Sequence, residues 1–370
     1  MTKKDRTYLD YNATAPLRPE VVEAMYEILA EPGNPSSIHQ EGRAARKIVE
    51  QARAHVAELV GCHAKQVIFT SGATESNNTL LKGYASHRRI LISATEHSSI
   101  ISAGVQAELI PTHRNGLIDT HALKSMLEAH PDTPTFVAIM MVNNETGVIQ
   151  PIKEIAQILS DYDCIFHTDA AQAAGRIPVY FPITGAHFMS LSAHKFGGPQ
   201  GVGALIMANG TNPPPFLTGG GQERRQRAGT ENVAGIHGMG VAAKIALEKL
   251  DDFEKLRDFQ SQIESHLLSV TPAASINGAS TARVANTTSV CIEGFDASTL
   301  LMSLDLEGIA VSTGSACSSG SIQASHVLLA MGASNSLAKS GLRISSGWAT
   351  TQEDIDAFKD AWTTIMKRLN

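Results

Sequence analysis

Between Gln66 and Met207 short apolar runs alternate with stretches of helical periodicity, and few folds accept that pattern. Gln66–Thr70, Arg89–Ser93, Glu108–Ile110, Phe136–Val142, Cys164–Thr168 and His187–Leu191 read as strands. Asp119–His130 and Ile152–Tyr162 read as helices between them, and the small and capping residues of Ser71–Asn78 begin another. Strands joined through helices return to one sheet in parallel, so the pattern predicts a doubly wound α/β fold with helices on both faces. Ala204–Met207 is expected to return antiparallel behind the glycine-rich Gly197–Gly203.

Two helices, Pro19–Ala30 and Glu41–Val60, precede this region, the second with Ala45, Ile48, Ala52, Val56 and Leu59 at helical spacing and Gly61 as its stop. After it, Thr230 to about Val270 is helical in pattern, with a break expected at Asp251–Asp252. Shorter units follow: a strand over Thr288–Ile292, a helix over Ala297–Leu306, a strand over Ile309–Ser312 and a closing helix over Gln352–Leu369. At 370 residues the chain exceeds what one core usually holds. The expected division is a large domain over 15–255 and a smaller α/β domain over 256–370 that also takes in 1–14.

The 30 Lys and Arg residues against 36 Asp and Glu form no long run of one sign, which argues against nucleic acid or an anionic membrane as a direct partner. Phe136–Val142, the most apolar run, is too short to span a bilayer, and the charged N-terminus lacks a signal core. The cysteines Cys62, Cys164, Cys291 and Cys317 form no CxxC pair, so neither a disulfide framework nor a metal site is expected, and a reducing cytoplasm fits.

Ligands of open α/β sheets sit beyond the carboxyl ends of the strands, so residues just past those ends matter most. Thr74, Asn144, Asp169 and Lys195 all occupy such places. A helix start, an amide, a carboxylate and a lysine are what pyridoxal 5'-phosphate requires: a phosphate cradle, a partner for the phenolic oxygen, one for the ring nitrogen, and an amine. Singly each has a structural explanation, as a helix cap, a turn residue or a loop lysine; together at strand ends they point to one cofactor. Gly197–Gly203 matches neither a P-loop nor a dinucleotide fingerprint.

The motifs Tyr8–Thr14, Asn34–His39, Thr70–Asn77, Thr95–His97, Asn143–Gly147, Asp169–Gln172 and Ser192–Lys195 resemble, in order and over nearly the whole chain, those of the pyridoxal-phosphate cysteine desulfurases. The resemblance implies the type I fold of pyridoxal-phosphate transferases, with a large, mostly parallel seven-stranded sheet and a smaller α/β domain. It implies that Lys195 carries the cofactor as an imine, that Asp169 pairs with the ring nitrogen, that Gln172 reaches the phenolic oxygen, and that His97 stacks on the ring and moves protons. Ala73, Thr74, Ser192 and His194 would cradle the phosphate, Thr230 would reach the phosphate of the neighbouring protomer in a homodimer, and Asn144 would also contact the cofactor.

Cys317 lies in a run of Ser, Gly and Ala that offers little to bury. By resemblance it is the nucleophile that takes sulfur from L-cysteine, leaving L-alanine, and passes it to an acceptor protein, an iron–sulfur scaffold or a tRNA-thiolation enzyme. Arg343 matches the arginine that grips the substrate carboxylate, with Asn144 and Asn34 nearby. Tyr11 and Ala324 depart from the family pattern, where Asn and Pro are frequent. A selenocysteine lyase or a class V aminotransferase is the alternative enzyme, and a catalytically silent scaffold the alternative from another class.

Overall fold

The computed structural model describes residues 6–212, 215, 217–314 and 323–369; Cys317 lies outside them. The chain opens with β1 (Thr7–Tyr8), α1 (Pro19–Leu29) and α2 (Gln40–Leu59). Strand and helix then alternate through β2 (Val67–Thr70), α3 (Ala73–Tyr84), β3 (Arg89–Ser93), the single turn α4 (Ser98–Ile101), β4 (Glu108–Ile110), α5 (Thr120–Glu128), β5 (Thr135–Ala138), α6 (Ile152–Leu159), β6 (Cys164–Asp169), β7 (Phe188–Ser192) and β8 (Gly203–Met207). Next come the helices α7 (Val233–Glu248), α8 (Leu250–Glu254) and α9 (Leu256–Val270). The last third holds β9 (Ala274–Ile276), β10 (Thr287–Ile292), α10 (Ala297–Leu306), β11 (Ile309–Ala310), β12 (Ser312–Thr313), α11 (His326–Ala330), α12 (Asn335–Lys339), β13 (Leu342–Ser345) and α13 (Gln352–Leu369).

Seven strands form the main sheet in the order β2-β8-β7-β6-β5-β3-β4, and β8 alone runs antiparallel to both neighbours. Its return is tight: a side chain on Gly203 would come within 2.5 Å of the Gly72 Cα and the Leu191 carbonyl. Apolar faces of the sheet and of α2 and α7 make the larger core, around Phe166, Leu191, Val56 and Met239. A second core gathers Leu9 with Ile263, Val290, Leu342, Phe358 and Trp362, over the four-stranded sheet β12-β13-β10-β9. β1 reaches it by pairing in parallel with β11. Among the described residues no helix is long and apolar enough to cross a membrane.

Four local expectations change. β5 ends at Ala138 rather than Val142, although Ile139 and Met141 still donate to the carbonyls of His167 and Asp169. On the other side β3 has ended, and the Met140 amide donates instead to Glu96 Oε1 at 2.6 Å. The helical stretch breaks at Lys249 and Lys255, not at Asp251–Asp252, which sit in the first turn of α8 where carboxylates suit the helix dipole. Ile309–Ser312 divides at Val311, its halves pairing with β1 and with β13 in different sheets. Leu342–Ser345, around Arg343, forms a strand where no element was expected.

Candidate active site

A cavity of about 550 Å³ opens beyond the carboxyl ends of β5, β6 and β7, against the amino end of α3. Ala73, Thr74, His97, Asn144, Asp169, Gln172, Ser192, His194 and Lys195 all line it. Each arrives from a strand end or the turn after it, because a parallel sheet delivers every such turn to one edge.

Lys195 Nζ donates to the carbonyls of Asn12 at 2.6 Å and Ala13 at 2.9 Å. Burial, helped by the Arg176 and Arg343 guanidinium groups and opposed by Asp169, pushes its pKa down to about 7. At neutral pH much of this lysine is therefore a free amine able to attack a carbonyl. Arg176 is buried with no carboxylate partner among the described residues, donating to Asn12 Oδ1 at 2.6 Å, and burial lowers its pKa to about 9.

Asp169 ends β6 with its carboxylate fixed, one oxygen accepting from the Ala171 amide at 2.9 Å and the other from Asn77 Nδ2 at 2.7 Å. The same Asn77 amide donates to Ser99 Oγ at 2.8 Å, which meets His97 Nδ1 at 2.9 Å. The Ser99 backbone amide also donates to His97 Nδ1, at 3.1 Å. With Nδ1 occupied as an acceptor, the neutral ring carries its proton on Nε2. Burial lowers the His97 pKa, with Lys195, His326 and Arg343 adding to the effect and Asp169 opposing it. Beneath it, burial raises the Glu96 carboxyl well above the usual range.

At the phosphate end, Gly72 adopts φ 154° as the N-cap of the twelve-residue α3, a conformation that favours glycine, and leaves the first amides of the helix open to the cavity. Ser192 and His194 close that side, His194 Nδ1 lying 3.2 Å from Thr14 Oγ1. Burial and the Lys195 charge lower the His194 pKa to about 4, so it meets an anion as a neutral hydrogen-bond group.

The remaining predicted residues stand differently. Gln172 donates through Nε2 to the Asn12 carbonyl at 3.0 Å, which uses one of its two N–H groups, and its Oε1 is buried without a partner among the described residues. Arg343 lies behind the cavity wall, bound to Asp10 at 2.8 Å and to the Asn144 carbonyl at 3.1 Å, with Nε buried and without a partner among the described residues. A substrate carboxylate would have to compete with Asp10 for it. Asn34 is exposed and accepts from the Ser36 amide in a local turn, and exposed Thr230 precedes α7; neither lines this cavity.

Sequence reasoning gave no role to Asn12, Asn77, Ser99 or Arg176. Asn77 had a readable signal, since it follows Ala73 by four residues and so shares its face of α3. Arg176 had none: only the fold shows that its charge is buried.

A sequence model of the family described as aminotransferase class-V matches residues 7–358. The chain belongs to that family. This class-V chain is 42% identical to the cysteine desulfurase IscS of Dictyoglomus turgidum over 99% of its own length and 96% of the relative's. It is 38% identical to an IscS-like cysteine desulfurase of Mycobacterium tuberculosis, covering 95% and 93% of the two chains. Among solved structures, a NifS-like protein from Rickettsia africae superposes with a TM-score of 0.92 at 37% identity, over 98% and 100% of the chains. The class-V family is pyridoxal-phosphate dependent, and the type I fold of its members is the fold seen here. The cavity fits that cofactor in size, in the fixed carboxylate of Asp169, in the helix amino end and in the free amine of Lys195.

Proposed function

We propose that this class-V chain is a cysteine desulfurase, converting L-cysteine to L-alanine and leaving the sulfur as a persulfide on Cys317. The observation that carries the reading is the meeting, in one cavity, of a lysine amine titrating near neutrality with a fixed carboxylate and a neutral histidine. Pyridoxal phosphate bound there would supply an electron sink that acidifies the substrate Cα and, through it, weakens the Cβ–Sγ bond. Asp169, its carboxylate fixed by Asn77 and the Ala171 amide, would pair with the ring nitrogen. Lys195 Nζ takes the Cα proton and returns it, and His97 Nε2 carries a proton on the opposite wall. The Cys317 thiolate attacks the substrate sulfur; an S–S bond forms, the C–S bond breaks, and its electron pair stays on carbon, which gains a proton to give alanine.

The roles of Ala73, Thr74, Ser192 and His194 at the phosphate, of Gln172 and Asn144 at the ring, and of Arg343 and Asn34 at the substrate belong to the same reading, as does a homodimer in which Thr230 completes the neighbour's site. So do the domain division at 255/256, supported by two separate cores, and a cytoplasmic enzyme handing sulfur to an iron–sulfur scaffold or a tRNA-thiolation enzyme. The test measures alanine and sulfide released from L-cysteine with a reductant present. Wild type is expected to turn over, whereas Cys317→Ala and Lys195→Ala are expected to lose activity by about 10²-fold or more. Unchanged desulfuration by Cys317→Ala would overturn the persulfide role, and the lack of an absorbance band bleached by borohydride would overturn the cofactor assignment.

A further inference from the structure

We propose that a second cleft, walled by α8 and the turn after β13, binds a small carboxylic acid with an apolar body. The cleft has a volume of about 380 Å³, with Arg18, Phe253, Leu256 and Trp348 lining it. Its inner end narrows to about 30 Å³ against Arg176 and Lys195, room for a water and not for a ligand. That inner end and the cofactor cavity share Lys195 and no other lining residue. A molecule in the cleft therefore approaches the lysine without entering the cofactor cavity.

Arg18 is the reason for a carboxylate. Its backbone amide donates to the Gly197 carbonyl at 3.1 Å, and its stem packs so closely that a side chain on Gly197 would come within 2.9 Å of its Cγ. The guanidinium lies 5.0 Å from the centre of the Trp348 ring, and Trp348 is itself pinned by its indole N–H on the Pro16 carbonyl at 3.1 Å. Stacking on a ring face leaves the planar edge of a guanidinium free for a carboxylate. Arg18 takes part in no ion pair among the described residues, and its Nε is buried without a partner there.

A second guanidinium stands at the inner end. Arg176 is buried 6.0 Å from the centre of the Phe253 ring, and beyond its bond to Asn12 Oδ1 it has only long contacts with the carbonyls of Tyr11 at 3.5 Å and Lys195 at 3.4 Å. Asp252, the one carboxylate lining the cleft among the described residues, is already held by Lys249 at 3.4 Å and Lys255 at 2.7 Å. The balance of charge in the cleft is positive and favours an anion. Phe253, Leu256 and the Trp348 ring make much of the remaining wall apolar. A bare inorganic anion leaves that wall uncovered, whereas a carboxylate on a body of benzoate's size meets both parts.

The test titrates the holoenzyme with benzoate and reads tryptophan emission and binding heat. The chain has two tryptophans, and Trp362 is fully buried in the second core, so an emission change is expected from Trp348. Saturable binding with a dissociation constant of about 1 mM or below is expected, with benzamide, which lacks the charge, and inorganic phosphate, which lacks the apolar body, each at least about tenfold weaker. Arg18→Gln should weaken benzoate about tenfold or more. Should that variant not fold, Arg18→Lys, which keeps the charge and loses the fork, takes its place and should weaken benzoate about threefold. Trp348→Phe should abolish the emission change and keep the binding heat. In steady-state alanine formation, the L-cysteine concentration at half-maximal rate should be the same with and without saturating benzoate. The site would be overturned by no saturable binding up to about 20 mM, by wild-type affinity in the Arg18 variant, by phosphate binding as tightly as benzoate, or by an emission change that survives Trp348→Phe. A benzoate-dependent rise in the half-saturating L-cysteine concentration would put the probe in the cofactor cavity and overturn it as well. Only this kinetic arm rests on the proposed function: should the enzyme form no alanine, that function fails, while the titrations still decide the cleft.

Discussion

Lys195 shows how a site is tuned by groups that never touch substrate. Its amine sits on two backbone carbonyls, which alone would favour the ammonium, yet burial and the uncompensated Arg176 charge win and bring it to about 7. Labelling of Lys195 by formaldehyde and cyanoborohydride in the cofactor-free protein should rise with pH and level off above about 7, some three units below an ordinary lysine at ~10.4. Arg176→Met removes a neighbouring positive charge, so the midpoint should move upward. Glu96 behaves in the opposite sense. Burial holds its carboxyl protonated in the folded chain, whereas the unfolded chain loses that proton near ~4.3. Above that pH the folded state binds more protons, so the stability from this group is full at low pH and is lost as pH rises through the folded pKa. Glu96→Gln keeps the acceptor for the Met140 amide but cannot ionise; its melting temperature should therefore decline less than that of wild type as pH rises, in scans across the pH range.

At the scale of elements, the turn Gln222–Arg225 shows what a buried ion pair can hold in place. Glu223, Arg224 and Arg225 all have positive φ, between 44° and 66°, a costly run for residues with side chains. Glu223 is locked by two bonds from Arg53, at 2.7 and 2.8 Å, and one from the Phe69 amide at 2.9 Å. Glu223→Ala takes away the buried partner of Arg53 and leaves it only the half-exposed Glu50 at 3.1 Å, and should cost about 3 kcal/mol in urea unfolding. None of this was legible in Gln222–Arg225, because its partner Arg53 lies on α2, where helical spacing predicts only a surface charge. The main sheet was legible for the converse reason: buried parallel strands are apolar along their whole length, as in Arg89–Ser93 and His187–Leu191. The strands β9, β12 and β13 hold two to four residues each and mix Ser, Thr and Arg with apolar neighbours, so no period identifies them. The cavity wall was legible because its residues stand in sequence next to strand ends, whereas the Asp169–Asn77–Ser99–His97 relay joins three separate segments.

Across the whole molecule Asn12 is the junction. Its carbonyl receives Lys195 and Gln172, its Oδ1 receives Arg176 and Asn286, and its Nδ2 donates to the Asn144 carbonyl and to Thr287. Lysine, cavity wall and the strand β10 of the second sheet are thus tied at one buried residue, the lysine through its backbone carbonyl and β10 through its side chain. Asn12→Ala should destabilise the fold by at least about 1–3 kcal/mol, the cost of a stranded buried partner, read as a lower urea midpoint.

That junction also fixes an order of assembly on the ribosome. The seven-stranded sheet has all its strands once Met207 is made, but Thr7 and Tyr8 pair with Ile309 and Ala310, and the Asn12 amide donates to Ser345. The N-terminal strand therefore waits about 300 residues for its partner, roughly 15–60 s at ~5–20 residues per second. During that interval the sheet can close while Asn12, and with it the seat of the Lys195 amine, is still unplaced. The newborn chain gains its finished lysine pocket only after Ser345 has been made.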